Sequence, residues 1–563
     1  MTQERYQGGY QMTSIGKYKI KDIQKKNPLF SAIRATVETA FYANNVEKIE
    51  TVAEAYALAK ETSGTIITDL PIHEPEIHGF PEDSKILVFN DGEVVGRTSA
   101  ARKIIGQPGV DTAYFAGLVR EAVFGISRRK VYTTEVYVGL NPEFMLKSHL
   151  LLPTAYANTI LNYLLNFQRE TIEYQKMYAE SKPYQTGDLY IFGDPDWQHP
   201  DYPNGLALFD PKHNVAVILG LRYFGEYKKA TLTLAWATAH DNNYIACHGG
   251  MKQYTLSDGK KYTMAAFGLS GSGKSTITLA KNDSKYQVTV LHDDAFIINH
   301  HDGSTTALEP AYFDKTQDYP MMSEMVKYFL TCQNVGVTLD DVGNKVIVTE
   351  DIRNGNGRTV KSKLVTPNRV DHIKEKINAV YWIMQDESLP PVVKVSDPNL
   401  ASIFGLTLAT KRSTAENIVG DINVNEIVIE PFANPFRSYA LGEDFTAFKK
   451  LFEDRAIDCY ILNTGYFNGA KVKPHHTLGA IEAIIDGIGN FVPFGPLEGL
   501  SYLPIKHLNP DFEHEGYVAS LKASMAERLR FIESKKLEMN AYHALPLGTE
   551  DAVKKILTSL ASL

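Results

Sequence analysis

The sequence predicts a mixed α/β fold, and three observations support that class. Short apolar runs alternate along the chain with longer helical patterns. One of these runs leads directly into a glycine-rich loop that is followed by a helical pattern. The chain has 563 residues, of which 44% are hydrophobic and 22% charged, so it can bury a sizeable core in two or more packed domains.

The expected strands are apolar runs bounded by turn residues. They cover 85–90, 189–192, 215–221, 262–267, 288–292, 345–349, 379–384 and 456–463. The expected helices begin after the glycine-rich loop, at 276–281, and fill much of the C-terminal region, at 516–534 and 550–560. A further apolar stretch, 149–167, is interrupted by a proline and two asparagines, which favours a buried helix. Turn-rich surface loops are expected at 187–204 and 351–357, and a hinge at 239–245.

Composition excludes several functional classes. The 58 basic and 66 acidic residues give a formal charge of −8, and no basic block is present, so nucleic acid is not an expected partner. The 3 cysteines are widely separated, which excludes a disulfide framework and a thiolate zinc site and favours a reducing cytoplasm. The polar N-terminus and the lack of a long uninterrupted apolar stretch predict neither a signal peptide nor a membrane span. The oligomeric state stays open.

The glycine-rich loop matches the phosphate-binding pattern G-x-x-x-x-G-K-[ST]. Its residues are Gly268, Leu269, Ser270, Gly271, Ser272, Gly273, Lys274 and Ser275, with Thr276 opening the helix. Glycines let backbone N–H groups converge on an anion, Lys274 can reach the outer phosphates, and Ser275 can offer its hydroxyl to Mg²⁺. The alternative is a Gly/Ser turn that contains a lysine by chance. The strand before the loop and the helix after it favour a nucleotide-phosphate site.

Two acidic residues, Asp293 and Asp294, follow the expected strand 288–292. Carboxylates at the end of a strand beside a phosphate loop suit a divalent cation. Adjacent side chains on extended backbone point to opposite sides, so one of the two is expected to bind metal while the other is held elsewhere. The alternative is an ordinary polar exit from the strand.

A second group of chemically active residues precedes the loop. The run from Val215 leads into Tyr223, then Lys228 and Lys229, and His248 follows. Considered locally, the lysines are a solvated charge pair and the histidine is a satisfied core or loop residue. An ordinary phosphate-loop kinase has no need for them.

In combination, these motifs resemble the ATP-dependent phosphoenolpyruvate carboxykinase family. The carriers are Tyr-x-Gly-Glu-x-Lys-Lys at 223–229, His248, Gly-Leu-Ser-Gly-x-Gly-Lys-Ser-Thr at 268–276, and the Asp-Asp strand end. Further similar segments lie at 96–99, 309–316, 389–392, 459–466 and 477–486. The resemblance is convincing over about 215–487 and thin before it.

The resemblance implies a two-domain phosphoenolpyruvate carboxykinase-like fold. Residues 1–242 would form an N-terminal substrate-binding domain and 243–563 a C-terminal P-loop nucleotide-binding domain, with a mobile lid at about 407–434. The implied reaction is decarboxylation of oxaloacetate coupled to phosphoryl transfer from ATP, which gives phosphoenolpyruvate, ADP and CO₂. Small molecules, rather than nucleic acid or a membrane, are the implied partners.

The resemblance also assigns roles to individual residues. Lys229, His248 and Asp294 would bind Mn²⁺, with Lys228 helping to lower the pKa of the ligand lysine; Mg²⁺ would sit with the ATP phosphates near Ser275 and Asp293. Arg97 would hold the substrate carboxylate, Tyr223 would lie beside the substrate or CO₂, and Arg358 would lie between the substrate and the γ-phosphate, with Arg353 as its rival. Lys274 would stabilise the transferred phosphoryl group, while Lys315 and Thr477 belong to segments that resemble nucleotide-binding ones.

The chain departs from the family pattern at several positions. His292 and Ala295 flank the acidic pair where the family has Gly and Glu, and Pro310-Ala311 replaces Gly-Gly-Cys. Two alternatives therefore stay open. One is a phosphate-loop kinase on the same scaffold that acts on another small acid or a protein hydroxyl; the other is a non-catalytic nucleotide sensor.

Overall fold

The protein is described by a computed structural model that covers residues 20–27, 30–90, 101–184, 186–269, 271–280, 282, 285–350, 356–411 and 427–563. Helices and strands alternate through these residues, and the predicted α/β class is confirmed. The described helices, in chain order α1 to α13, are Ala32–Ala40, Val52–Glu61, Pro75–His78, Thr112–Ile126, Ala157–Asn166, Ile172–Glu180, Phe224–Asp241, Lys274–Leu279, Pro398–Leu406, Leu441–Arg455, Pro474–Ile485, Glu515–Ser534 and Asp551–Ala561. In the described part of the chain, no helix is long and apolar enough to cross a membrane.

The strands are short and are distributed over several sheets. In chain order, β1 to β31 are Val46–Lys48, Ile66–Pro71, Lys85–Phe89, Arg102–Ile104, Val131–Asn141, Phe144–Pro153, Gln168–Arg169, Leu189–Asp194, Leu206–Asp210, Val215–Leu219, Tyr244–His248, Gly250–Thr255, Lys261–Phe267, Gln287–His292, Ala295–Asn299, Thr305–Ala307, Tyr312–Lys315, Phe329–Gln333, Gly336–Leu339, Lys345–Val348, Arg358–Lys361, His372–Ile373, Ala379–Met384, Val392–Val395, Ala409–Lys411, Ile427–Ile429, Asp458–Asn463, Tyr466–Phe467, Ala470–Lys471, Val492–Pro493 and Leu500–Tyr502.

The chain forms two compact units, each containing more than one chain segment. The first is built from Met1–Asp241 and Leu308–Pro367, and the second from Asn242–Ala307, Asn368–Thr414 and Asp421–Leu563, over the described residues of these ranges.

The first unit contains two large sheets. One has the order β1-β5-β6-β8-β10-β9-β4, and the other β17-β21-β18-β3-β2. Helix α7 is buried from Phe224 to Ala239 except at Glu226, which is partly exposed. A helix buried on all sides is typical of the interior of a large domain. Strand β10 runs directly into the turn before α7, which fixes where the first residues of that helix lie.

The expectation of one buried helix over 149–167 is wrong in its first part. Residues up to Pro153 belong to β6, and the helix α5 occupies only Ala157–Asn166. All ten residues of β6 are buried, so the strand lacks the alternating pattern that would identify it. A fully buried strand cannot be distinguished from a buried helix by periodicity alone.

A buried polar cluster lies on β5, β6 and β8 of the first unit. His149 Nε2 is 2.9 Å from Asp188 Oδ2, and its Nδ1 is 3.3 Å from Glu135 Oε1. The Tyr190 ring stacks on the imidazole with ring centroids 4.6 Å apart. Burial opposes protonation of His149, but the hydrogen bonds to the two carboxylates outweigh it and raise its pKa. Charge balance therefore lets these acidic groups remain inside the unit.

The second unit is organised around an eight-stranded sheet of order β14-β12-β13-β23-β27-β24-β31-β30. Strands β13, β23 and β27 are parallel to one another at its centre, so their carboxyl ends share one edge. A smaller antiparallel sheet of order β11-β15-β16-β22 lies in the same unit. In open α/β sheets, ligands bind outside the carboxyl ends of the parallel strands. The glycine-rich loop follows β13 at this edge.

Lys252 on β12 lies under the helix that follows the loop. Its Nζ donates to the carbonyl of Ala280 at 3.2 Å, just beyond the end of α8, and lies 4.5 Å from the centroid of the Tyr254 ring. The residue is 1% exposed. Burial lowers the pKa of Lys252 from 10.5 to about 7. The side chain is therefore close to its midpoint of protonation at neutral pH.

We predict that Lys252→Met stabilises the protein at neutral and lower pH and that the gain disappears at alkaline pH. Between pH 7 and 10.5 the unfolded lysine binds a proton that the native one does not, so the Lys252 contribution to stability rises with pH. The variant should gain about 1–3 kcal/mol in free energy of unfolding at pH 6.5. Urea unfolding at pH 6.5 and pH 9.5 measures the difference, with Lys260→Met, an exposed position, as control. An equal effect at both pH values would contradict the buried, titrating lysine.

Candidate functional site

The predicted phosphate loop lies between the end of β13 at Phe267 and the start of α8 at Lys274. Gly273 has φ 96° and Gly271 φ 84°, in the left-handed region that favours glycine. The Ser272 amide closes the turn by donating to the Leu269 carbonyl at 3.0 Å. Backbone N–H groups turned inward by such a sequence of residues form an anion-binding concavity. The helix starts two residues before the predicted 276 and ends at Leu279.

Contacts from β12 and from the residue that follows β27 stabilise the phosphate loop and its helix. Gly250 of β12 approaches α8 so closely that an added Cβ would lie 1.8 Å from Thr278 Oγ1. On the other side, Thr464 follows β27 and donates from Oγ1 to the Ser272 carbonyl at 2.8 Å. These contacts fix the position of both the loop and its helix. The hydroxyl-bearing Ser275 and Thr276 are exposed on the first turn of α8.

The register of the smaller sheet brings His248 and Asp294 together. His248 is the last residue of β11 and pairs across the antiparallel ladder with Ala295, the first residue of β15. Asp294 directly precedes Ala295, and its carbonyl accepts from the Gly249 amide at 3.0 Å. His248 Nε2 therefore lies 2.9 Å from Asp294 Oδ1. The second ring nitrogen, Nδ1, lies 2.5 Å from the carbonyl oxygen of Ala433.

Asp294 also connects this pair to the phosphate loop. Lys274 Nζ lies 3.8 Å from the same Oδ1 that faces His248. The three side chains are largely buried, with 12% of His248, 12% of Lys274 and 21% of Asp294 exposed. A charge in such a setting interacts more strongly than it does in water. The lysine predicted to bind phosphate and the pair predicted to bind a cation are therefore adjacent in this unit.

His292 shapes the turn that presents Asp294. It is fully buried, and its Nδ1 accepts from the amides of Asp294 at 3.1 Å and Ala295 at 3.2 Å. The turn is therefore stabilised by a side chain at the position where the resembled family has glycine. Asp293 is buried, and Asp294 is the acid that faces His248.

The donor set of His248 and Asp294 suits Mn²⁺ or a similar divalent ion, because imidazole nitrogen and carboxylate oxygen are both ligands of such ions. In the part of the chain that the structure describes, no group of three or more His, Cys, Asp and Glu could hold a metal. An ion at this pair would therefore complete its shell with a different residue type, with water or with substrate.

The first unit contains the other predicted group. Tyr223, Lys228 and Lys229 are all buried, at the turn before α7 and in its first two turns. Lys228 Nζ lies 2.9 Å from Glu309 Oε1, with both side chains at most 1% exposed, and Asn166 Nδ2 donates to Glu309 Oε2 at 2.6 Å. Lys228 is thus a buried, compensated cation rather than a solvated one, because an unpaired charge here would be costly. Lys229 Nζ lies 5.7 Å from the centroid of the Trp236 ring.

Two further predicted cations lie opposite each other in the second sheet of the first unit. Lys315 of β17 pairs across the ladder with Arg358 of β21. Arg358 is 7% exposed, and its Nη1 donates to the Gly357 carbonyl at 2.9 Å. Tyr223 lies nearby, since its ring is 5.8 Å from that of Phe313 on β17. Directly opposite like charges are unfavourable in a sheet, and the acidic Asp318 interacts electrostatically with both Lys315 and Arg358.

Some predicted residues are not placed. Arg97, Ser270 and Arg353 lie outside the described residues, as does 412–426 of the expected lid. Thr477 is buried on α11, and its hydroxyl donates to the Pro474 carbonyl of the same helix at 3.0 Å. The described residues thus form a phosphate and cation group in the second unit and a cationic group in the first.

Three residues that contact the predicted site residues were not themselves predicted from the sequence. Thr464 lies within a segment already noted for its resemblance, so its hydroxyl could have been assigned to the loop. Glu309, the partner of Lys228, lies in another such segment. Ala433 acts through its backbone carbonyl, which leaves no signal in an amino-acid sequence.

The chain is similar to known proteins over much of its length. A family model described as phosphoenolpyruvate carboxykinase matches residues 91–495, more than half of the chain. Three curated relatives are named phosphoenolpyruvate carboxykinase (ATP). That of Aeropyrum pernix is 23% identical over 51% of this chain, that of a Bradyrhizobium strain 22% over 71%, and that of Eremothecium gossypii 22% over 80%. The matched regions span 60%, 76% and 87% of those relatives, respectively.

We predict that Gly250→Ala weakens nucleotide binding by displacing α8. The added methyl would meet the branched side chain of Thr278, so the helix must shift, at a cost of about 1–3 kcal/mol. Titration calorimetry with MgATP measures the change in dissociation constant. Gly125→Ala on α4 is the matched control, since an added Cβ there has no atom within 4 Å. Unchanged ATP affinity in Gly250→Ala would contradict a role for β12 in placing the loop.

Proposed function

Because the chain belongs to the phosphoenolpyruvate carboxykinase family, we propose that it catalyses the metal-dependent, reversible conversion of oxaloacetate and ATP into phosphoenolpyruvate, ADP and CO₂. One observation carries the proposal: Asp294 Oδ1 is shared by the His248 imidazole and the Lys274 ammonium. A cation-binding pair next to the phosphate-binding lysine suits a reaction that joins a phosphoryl group to an enolate oxygen.

The proposed chemistry requires positive charge at both steps. Loss of CO₂ from oxaloacetate leaves the enolate of pyruvate, and the enolate oxygen then takes the γ-phosphoryl group while ADP leaves. Lys274 stabilises charge on the β- and γ-phosphates. In the proposal, Arg97 binds the substrate carboxylate in a bidentate manner, Tyr223 borders the substrate, and Arg358 faces the transferred group. Lys315 and Thr477 are proposed on the nucleotide side.

The proposed cofactors are ATP or ADP and two divalent ions. His248, Asp294 and Lys229 are the proposed ligands of Mn²⁺. Ser275 and Asp293 are proposed beside Mg²⁺ on the nucleotide. When bound, such ions lower the energy of the enolate and of the phosphate oxygens by direct electrostatic attraction. Exclusion of water would prevent protonation of the enolate to pyruvate.

We predict that the purified protein carboxylates phosphoenolpyruvate in the presence of ADP, bicarbonate and Mn²⁺. Oxaloacetate formation can be followed through malate dehydrogenase as oxidation of NADH. A preparation that binds ATP but shows no turnover in either direction would contradict the carboxykinase proposal. That result would favour the kinase or nucleotide-sensor alternatives, and transfer of labelled phosphate to another acid or to a protein would distinguish between these two.

We predict that His248→Ala and Lys274→Ala fail in different ways. Loss of His248 should reduce Mn²⁺-dependent activity by at least about 100-fold and leave ATP affinity nearly unchanged. Loss of Lys274 should reduce phosphoryl transfer by about 100- to 1,000-fold with Mn²⁺ binding retained. Separate titrations with ATP and Mn²⁺ and steady-state rates measure both effects. His301→Ala, at an exposed position, is the control. Equal residual activity in the two site variants would mean that the metal is misplaced.

A further inference from the structure

We propose that the turn Phe432–Ala433 is a positioning element for His248. Its unusual backbone aims the Ala433 carbonyl at the imidazole Nδ1 and so leaves Nε2 as the nitrogen that binds a cation. The inference rests on the proposed function for the identity of the ion, whereas the geometry of the turn does not depend on that proposal.

The turn has a strained backbone. Phe432 has φ 55° and ψ 23°, and Ala433 has φ 54°. Both residues carry a Cβ, so each pays a steric penalty in the left-handed region, and two in succession are rare. Such conformations persist only where the surrounding structure determines them. The pair follows β26 after Glu430 and Pro431.

Several contacts hold the turn in place. The Phe432 ring is 1% exposed and stacks on Phe448 of α10, with centroids 4.7 Å apart and planes 5° apart. Trp382 of β23 meets the same ring edge-on, with centroids 5.9 Å apart. The Pro431 carbonyl accepts from Arg437 Nη2 at 3.0 Å, and Arg437 Nε donates to Asp444 Oδ2 at 2.5 Å. The stacking of Phe432 and the buried Arg437–Asp444 ion pair thus offset the steric cost of the left-handed backbone.

The strained turn places the Ala433 carbonyl at a defined position beside His248. Ala433 O lies 2.5 Å from His248 Nδ1, and Phe436, three residues on, meets the imidazole edge-on at 5.4 Å. A carbonyl oxygen can only accept, so Nδ1 carries a proton and donates it. Nε2 lies 2.9 Å from Asp294 Oδ1, on the side of Lys274, so a proton or a cation has to lie between these two electron-rich atoms. A hydrogen bond to the second ring nitrogen is the usual device that orients a histidine ligand.

The decisive comparison is between two phenylalanines that contact the same tryptophan. Phe432→Ala removes the ring that holds the turn. Phe452→Ala removes a buried ring of α10 whose centroid lies 6.5 Å from that of Trp382 but which is not part of the turn. Both variants create a cavity in one cluster, so thermal unfolding should show a loss of stability in each. Only Phe432→Ala is expected to change His248.

Two measurements follow the expected change. Electron paramagnetic resonance of free Mn²⁺ should show about tenfold weaker binding in Phe432→Ala and no comparable change in Phe452→Ala. Nitrogen-15 NMR of metal-free, histidine-labelled protein at alkaline pH, assigned by subtraction of a His248→Gln spectrum, should show a protonated Nδ1 in the wild type. Phe432→Ala should show a mixture of tautomers, and adding Ala433→Gly should restore part of the wild-type signal, because glycine readily adopts the left-handed conformation.

An unchanged Nδ1 signal in Phe432→Ala, or equal losses of Mn²⁺ affinity in both phenylalanine variants, would overturn the inference. Absence of Mn²⁺ binding in the wild type would instead count against the proposed function. The metal-free NMR comparison would still decide whether the turn sets the tautomer of His248.

Discussion

The pairing of β11 with β15 is the constraint on which the second unit's chemistry depends. It sets His248 opposite Ala295, and the preceding Asp294 then has to face the imidazole. A shift of one residue along this ladder would turn the histidine to the other face of the sheet. Two further contacts stabilise this arrangement. The buried His292 accepts from the Asp294 amide, and the Ala433 carbonyl contacts the imidazole of His248.

Charged groups are buried in two ways: paired with an opposite charge, as also for Arg437 and Asp444 in the second unit, or without one. In the first, Lys228 is matched by Glu309, and His149 is matched by two carboxylates, so the ionised groups are neutralised where they lie. In the second, Lys252 contacts the Ala280 carbonyl and the Tyr254 ring rather than an acid, and burial lowers its pKa to about 7. Matching a charge retains the charged form, whereas burial alone favours its loss. Pairing therefore allows an ionised group to stay inside the unit.

The sequence predicts those parts of the fold and site that local pattern determines. Strand β23 occupies the predicted 379–384, and the loop at Gly268 follows a strand and precedes a helix as expected. The pattern fails for β6, where burial on both faces removes alternation. It also cannot give the proximity of His248 and Asp294, which depends on sheet register, or the role of Ala433, which depends on backbone conformation. The family resemblance predicts which residues form the site, and the sheet register explains why two of them, His248 and Asp294, lie together.

The second sheet of the first unit has a consequence for how the protein is made. Strand β3 pairs with β18, so Leu87 lies beside Thr331 although a segment of the second unit, Asn242–Ala307, lies between them in the sequence. Domains ordinarily fold in order as they leave the ribosome. Here the N-terminal part must wait, with one edge of β3 unpaired, until the ribosome has passed the whole glycine-rich loop. During synthesis the unpaired edge of β3 is therefore exposed until β18 has been made. An unpaired strand edge can pair with another chain, so protection of the nascent chain by a chaperone would reduce aggregation.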